Sequence, residues 1–72
     1  MKEIKKEIKK HYGTIGAASD NPWKLEVNLI SWNGGEPKID IRRWSPAHDS
    51  CGKGITITEA EAKTLKDILA NI

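Results

Sequence analysis

Trp23-Lys24-Leu25-Glu26-Val27-Asn28-Leu29-Ile30-Ser31-Trp32-Asn33-Gly34-Gly35-Glu36-Pro37-Lys38-Ile39-Asp40-Ile41-Arg42-Arg43-Trp44 is the stretch that decides the fold. Its first part alternates: Trp23, Leu25, Val27 and Leu29 share one side, Lys24, Glu26 and Asn28 the other, which is the period of a half-buried strand. The segment Lys38–Trp44 alternates too, with Ile39 and Ile41 opposite Lys38, Asp40 and Arg42. Between them Asn33-Gly34-Gly35-Glu36-Pro37 supplies residues that tolerate positive φ, the chemistry of a hairpin. An antiparallel ribbon is therefore expected over residues 23–44.

Working outward, Ile55-Thr56-Ile57 is short and β-branched and reads as a last strand. Thr58-Glu59-Ala60-Glu61 then has the form of a capping box, with Thr58 at the N-cap and Glu61 at N3. Ala62, Leu65, Leu69 and Ile72 follow at helical spacing, and Ile68 widens the stripe, so a helix is expected to run to the end of the chain. The first segment stays open. Ile4, Ile8, Tyr12 and Ile15 fit a helical period, whereas Ile8, Lys10, Tyr12 and Thr14 fit one face of a strand. Turn signals at Gly13–Asn21, Asn33–Gly35, Ser45-Pro46 and Gly52/Gly54 leave no linker and no repeat, so residues 1–72 are expected to be a single α+β domain, strands first and one C-terminal helix last.

A chain of 72 residues buries only about 60% of its unfolded surface, and a lone core of that size is marginal. Cys51 is the single cysteine, so no intrachain disulfide can help, and a chain this poor in cysteine suits a reducing cytoplasm. No apolar run approaches the ~18 residues that span a bilayer, and Met1–Lys10 lacks the apolar stretch of a signal peptide. Self-association is the remaining route to stability. The open stripe on the helix, with Leu65, Leu69 and Ile72, is the candidate contact between two copies across a two-fold axis.

The formal net charge of +2 is unevenly spread: residues 1–11 carry +3, residues 12–57 none, and residues 58–72 carry −1. Polyanion binding would need basic groups gathered on one face. The ribbon offers such a face. If the apolar parity points to the core, Lys24, Asn28, Ile30 and Trp32 of one strand and Lys38, Arg42 and Trp44 of the next face outward. Two exposed tryptophans among lysine and arginine give π faces for unpaired bases and cations for phosphates. From composition alone a plainer reading is favoured, in which the indoles pack across the hairpin and the charges solvate a sheet.

Catalytic constellations are poor. His48-x-x-Cys51 with His11 falls short of the four convergent ligands of a structural zinc, so neither a metal nor a cofactor is expected. Ser45, His48 and Asp49 crowd one loop and read as a turn rather than a triad, and Gly52-Lys53-Gly54 lacks the spacing of a phosphate loop. Lys53 can still meet a backbone phosphate.

The stretch Ser31–Pro46, with its Ile39-Asp40-Ile41-Arg42 strand, continued by Gly52-Lys53-Gly54-Ile55-Thr56-Ile57-Thr58, resembles the positive cofactor four family of transcriptional coactivators, and most closely its short bacterial members. The likeness spans roughly residues 8 to 70. It implies a curved four-stranded antiparallel sheet, a C-terminal helix, a homodimer through the helices, and binding of single-stranded DNA with little sequence preference. It also implies that the open first segment is a strand. Carried onto this sequence, Trp32 sits one residue from the family's hairpin aromatic, Arg42 matches the arginine of the Ile-Asp-Ile-Arg strand, Trp44 the aromatic after it, and Lys53 the lysine before the last strand. The lysine-rich hairpin loop of the eukaryotic members has no counterpart in Asn33–Glu36, and Cys51 matches no role.

With the resemblance the plainer reading gives way. The expected function is a single-stranded DNA-binding homodimer, acting as a transcriptional coactivator or regulator and not as an enzyme. Bases would stack on Trp32 and Trp44, and Lys24, Lys38, Arg42 and Lys53 would neutralise phosphates. The alternatives are a module docking on the transcription machinery and an RNA-binding protein.

Overall fold

The computed structural model describes residues 5–16 and 22–72; Ile4 of the helical spacing and the 17–21 part of the first turn signal lie outside them. Four strands, β1 (Lys6–Gly16), β2 (Lys24–Trp32), β3 (Lys38–Trp44) and β4 (Cys51–Ile57), precede one helix, α1 (Glu59–Leu69). They form an open antiparallel sheet in the order β1-β2-β3-β4. The open first segment is thus a strand. It departs from regular pairing three times, between Ile8/Lys10, His11/Gly13 and Thr14/Gly16. Each irregularity adds bend and twist to the strand that carries it.

The β2–β3 register runs unbroken from Lys24↔Trp44 to Ile30↔Lys38. Asn33 and Gly34, at φ 53° and 76°, make the reversal, and the Gly35 amide donates to the Trp32 carbonyl at 2.9 Å. Successive positive φ values twist the chain in the sense that flanking strands require. β4 begins four residues earlier than its β-branched core suggests, because Cys51 pairs with Trp44 across a bulge and Gly54 lies opposite Arg42. A Cβ on Gly54 would run into the Arg42 Cβ and the Ile41 carbonyl, so only glycine lets these two strands approach.

The sheet is curled. Trp32 and Glu26, the register partner of Arg42, are six positions apart on β2, roughly 20 Å along a strand. Yet the Arg42 guanidinium carbon lies 4.7 Å from the Trp32 ring centroid. Lys6 pairs with Trp32 at one end of β2 and Trp44 with Lys24 at the other, but the Lys6 Nζ is 5.8 Å from the Trp44 ring. Both contacts require the two ends of the ribbon to bend toward each other, with the even-numbered side chains of β2 and β3 on the inside.

This curl reverses one expectation. The parity of Leu25, Val27, Leu29, Ile39 and Ile41 is not the most enclosed side; these residues, like Trp23, are half-buried. The enclosed side is the opposite one, where Ile30 is 0% and Trp44 1% exposed and Glu26, Asn28 and Asp40 are buried with them. The apolar parity instead faces α1. That helix has 11 residues, about 16 Å of length, and buries none of them fully, so it covers its face only in part.

The helix begins as its sequence requires. Thr58 Oγ1 accepts from the Glu61 amide at 3.1 Å, and Glu61 Oε1 accepts from the Thr58 amide at 2.8 Å. Glu59 and Glu61 in the first turn and Lys66 in the last complement the helix dipole. The helix ends at Leu69, short of the expected run, and Ile72 stands beyond it at 95% exposure.

Candidate nucleic-acid interface

The inside of the curl gathers aromatic, cationic and hydrogen-bonding groups that are remote in sequence. At one end is Trp32, half-buried, with the Arg42 guanidinium on its ring. Arg42 Nε donates to Asp40 Oδ1 at 2.6 Å, and its Nη1 donates to the Gly52 carbonyl at 3.4 Å. Asp40 Oδ2 accepts from Thr56 Oγ1 at 3.1 Å, across the Asp40↔Thr56 pair of β3 and β4. The Asp40 carboxylate holds the Arg42 proton more tightly than usual, partly offset by burial and helped by the Cys51 side chain beside it.

At the other end is Trp44. Its ring is enclosed by Lys6 and by the His48 imidazole, whose centroid is 5.6 Å away at an interplanar angle of 31°. His48 occupies a left-handed conformation, φ 60°, in the β3–β4 loop, which Ser45 closes by donating to Asp49 Oδ1 at 2.8 Å. His48 Nε2 meets Glu26 Oε2 at 2.9 Å. Glu26 Oε1 in turn accepts from Asn28 Nδ2 at 3.2 Å, and Asn28 Oδ1 pairs with His11 Nδ1 at 2.6 Å. Burial pushes the Glu26 carboxyl up, but the hydrogen bonds from Asn28 and His48 and the charges of His48 and His11 outweigh it, so the net shift is below its ordinary value. Both indole N–H groups, of Trp32 and Trp44, are buried without an acceptor among the described residues.

The expected site residues are therefore only partly assembled. Trp32 and Arg42 are in contact, and Lys24 stands opposite Trp44 in register. Lys38 begins β3 and Lys53 lies in the β4 bulge; both are exposed and make no ion pair or ring contact among the described residues. Trp44 differs most from expectation, being enclosed rather than exposed, because the curl and the β3–β4 loop fold over its ring. Lys6, His11, Glu26, Asp40, His48 and Thr56 were not singled out as part of the face. Glu26 and Asp40 carry a signal that would have found them: they share the parity of Trp32, Arg42 and Trp44. Lys6 and His48 carry none, since only the curl and the loop bring them in.

The His48-x-x-Cys51 and His11 combination does not converge. The two histidines bracket Glu26 instead, and no group of three His, Cys, Asp or Glu side chains among the described residues is arranged to hold a metal ion. No helix among the described residues is long and apolar enough to cross a membrane.

Residues 19–68 match the family described as transcriptional coactivator p15 (PC4), more than half of the chain. The chain belongs to the transcriptional coactivator p15 (PC4) family. It is also 48% identical over 63 residues to an uncharacterized protein of Treponema pallidum (strain Nichols), covering 88% of this chain and 73% of that protein. Membership of the p15 (PC4) family ties the chain to DNA binding and transcription regulation. The curled sheet followed by one helix is the architecture the family resemblance implied.

Proposed function

We propose that this p15 (PC4) family chain binds single-stranded DNA with little sequence preference, as a homodimer, in the regulation of transcription. The observation that carries the reading is the composite of Trp32 and Arg42 on the inside of the curl, an aromatic face with a cation fixed on it. An indole offers a stacking surface that any unpaired base can use, and a base in a duplex cannot reach it. Trp44, enclosed in the free protein, joins as a second stacking surface where the strand displaces both Lys6 and the His48 loop from its ring. Lys24, Lys38, Arg42 and Lys53 meet phosphates, and each phosphate neutralised releases a counterion.

Binding to a labelled oligonucleotide, its matched duplex and the equivalent RNA, each titrated with salt, tests the reading. Single-stranded DNA should bind tightest, with affinity falling linearly on a logarithmic salt scale. Equal or tighter binding to the duplex would sink the proposal, preference for RNA would move the ligand class, and no binding would leave the face to a protein of the transcription machinery.

A further inference from the structure

A carboxylate with no exposed surface is costly to keep in a small sheet, because a buried charge must recover its lost hydration from partners. Asp40 is such a group, at 0% exposure. Its two oxygens are both engaged, one by Arg42 Nε at 2.6 Å and the other by Thr56 Oγ1 at 3.1 Å. The Asp40–Arg42 pair joins residues two apart on the same strand, so it does not tie β3 to a neighbour. Nor does it serve net charge, since the carboxylate cancels the guanidinium. It fixes where the guanidinium stands. A free arginine on a strand samples many rotamers. Here Asp40 holds Nε and the Gly52 carbonyl holds Nη1, the ring of Trp32 lies 4.7 Å from the guanidinium carbon, and the Arg42 side chain is only 16% exposed.

We propose that Asp40, braced by Thr56, is a positioning residue for single-strand binding: it sets the Arg42 guanidinium on Trp32 so that cation and indole form one prebuilt platform. The inference rests on the proposed single-strand reading. Of the five N–H donors of a guanidinium, Nε and one on Nη1 are used inside the protein. The Cys51 side chain stands against the same group, and the N–H donors outside these contacts are left for a phosphate beside the stacked base. The strand then meets a group already in place and does not have to order a long side chain on binding.

A charge-only account makes the opposite prediction. If Asp40 merely masked Arg42, removing the carboxylate would tighten binding to single strands and steepen its salt dependence. Under positioning, Asp40→Leu, which removes the acceptor, weakens binding on the order of tenfold, the scale of one hydrogen bond to a charged group. Asp40→Asn keeps an acceptor for Arg42 Nε and recovers most of that loss. In an Arg42→Lys background, which has no Nε–H to be held, Asp40→Leu should have little further effect. Wild-type or tighter binding by Asp40→Leu, or an undiminished loss in the Arg42→Lys background, would overturn the proposal.

A second measurement needs no ligand. The Arg42 Nε–H resonance of the free protein should carry a ring-current shift that Trp32→Ala abolishes and Thr56→Val reduces. This reads the platform even where Asp40→Leu does not fold, and an Arg42 Nε–H resonance unmoved by Trp32→Ala overturns the inference. Failure of the wild-type chain to bind single strands while the shift is present would sink the functional reading and leave the platform geometry standing.

Discussion

Trp32 and Trp44 look alike in sequence, each closing a strand of the same ribbon, but their surroundings separate them. Trp32 is half-buried with a cation on its ring, so Trp32→Ala should weaken single-strand binding by roughly 1–3 kcal/mol, the usual contribution of base–aromatic stacking. Trp44 is 1% exposed between Lys6 and His48, and Trp44→Ala should also cost stability, about 3–5 kcal/mol for a large aromatic truncated in a core. Chemical denaturation beside oligonucleotide titration checks both, and a Trp44→Ala protein of unchanged stability would contradict the enclosure. Glu26 gives a second prediction at this scale. Its carboxyl titrates below the ordinary value of 4.5, so between that value and its folded one the unfolded chain binds more protons. Its contribution to stability is therefore complete above about pH 4.5 and is lost as the pH falls through the folded value. Thermal melting between pH 3 and 6 should show a steeper acid loss for the wild type than for Glu26→Gln; identical slopes would show that the His11–Asn28–Glu26–His48 chain does not hold the carboxylate.

Among the elements, the ribbon was legible because its signals are local. Alternation gave β3 as Lys38–Trp44 and β2 to within one residue, and Asn33-Gly34 marked the reversal with the two residues that tolerate positive φ. The helix start was equally local, since a capping box is a bond between residues three apart. The curl was implied by the family resemblance but was not legible in the alternation of the residues. It arises from three irregularities in β1 and a bulge between Arg42 and Trp44, which depend on pairing across strands and leave no periodic trace. That is why alternation separated the two faces of the sheet correctly yet misjudged which one would be enclosed. Gly54 is where the curl meets sequence. Opposite Arg42 it admits no side chain, so Gly54→Ala must push β3 and β4 apart at the platform. We expect a loss of about 1–3 kcal/mol, the usual cost of overpacking, together with weaker single-strand binding. Full stability and full binding in Gly54→Ala would mean that the close approach is dispensable.

At the scale of the whole molecule, the enclosed face is the polar one, and the apolar face is left incomplete. Between α1 and the sheet lies an apolar recess lined by Tyr12, Ile15, Val27, Ile41, Leu65 and Leu69, among others. Tyr12, Ile15 and Leu69 are exposed there, Leu69 at 53%. The described residues bury little on this face, and we propose that a second copy, which carries the same recess and the same stripe, supplies the missing burial. The isolated chain makes this testable. An exposed leucine on a monomeric surface tolerates a charge within about 0.5 kcal/mol. Leu69→Glu should therefore be nearly silent if the protein works alone, and Leu65→Glu, half-buried, only moderately worse. If two helices meet across a two-fold axis, Leu69→Glu places an unpaired carboxylate in the contact twice over, and a thermal midpoint that depends on protein concentration in the wild type falls or loses that dependence in the variant. Sedimentation equilibrium with melting at several concentrations reads both quantities. We expect Leu69→Glu to dissociate the dimer and, with it, to weaken single-strand binding, because one strand can no longer be shared between two curled sheets. A wild-type chain that sediments as a monomer at all concentrations, or a Leu69→Glu dimer of unchanged midpoint, would place the missing burial somewhere other than the helix stripe.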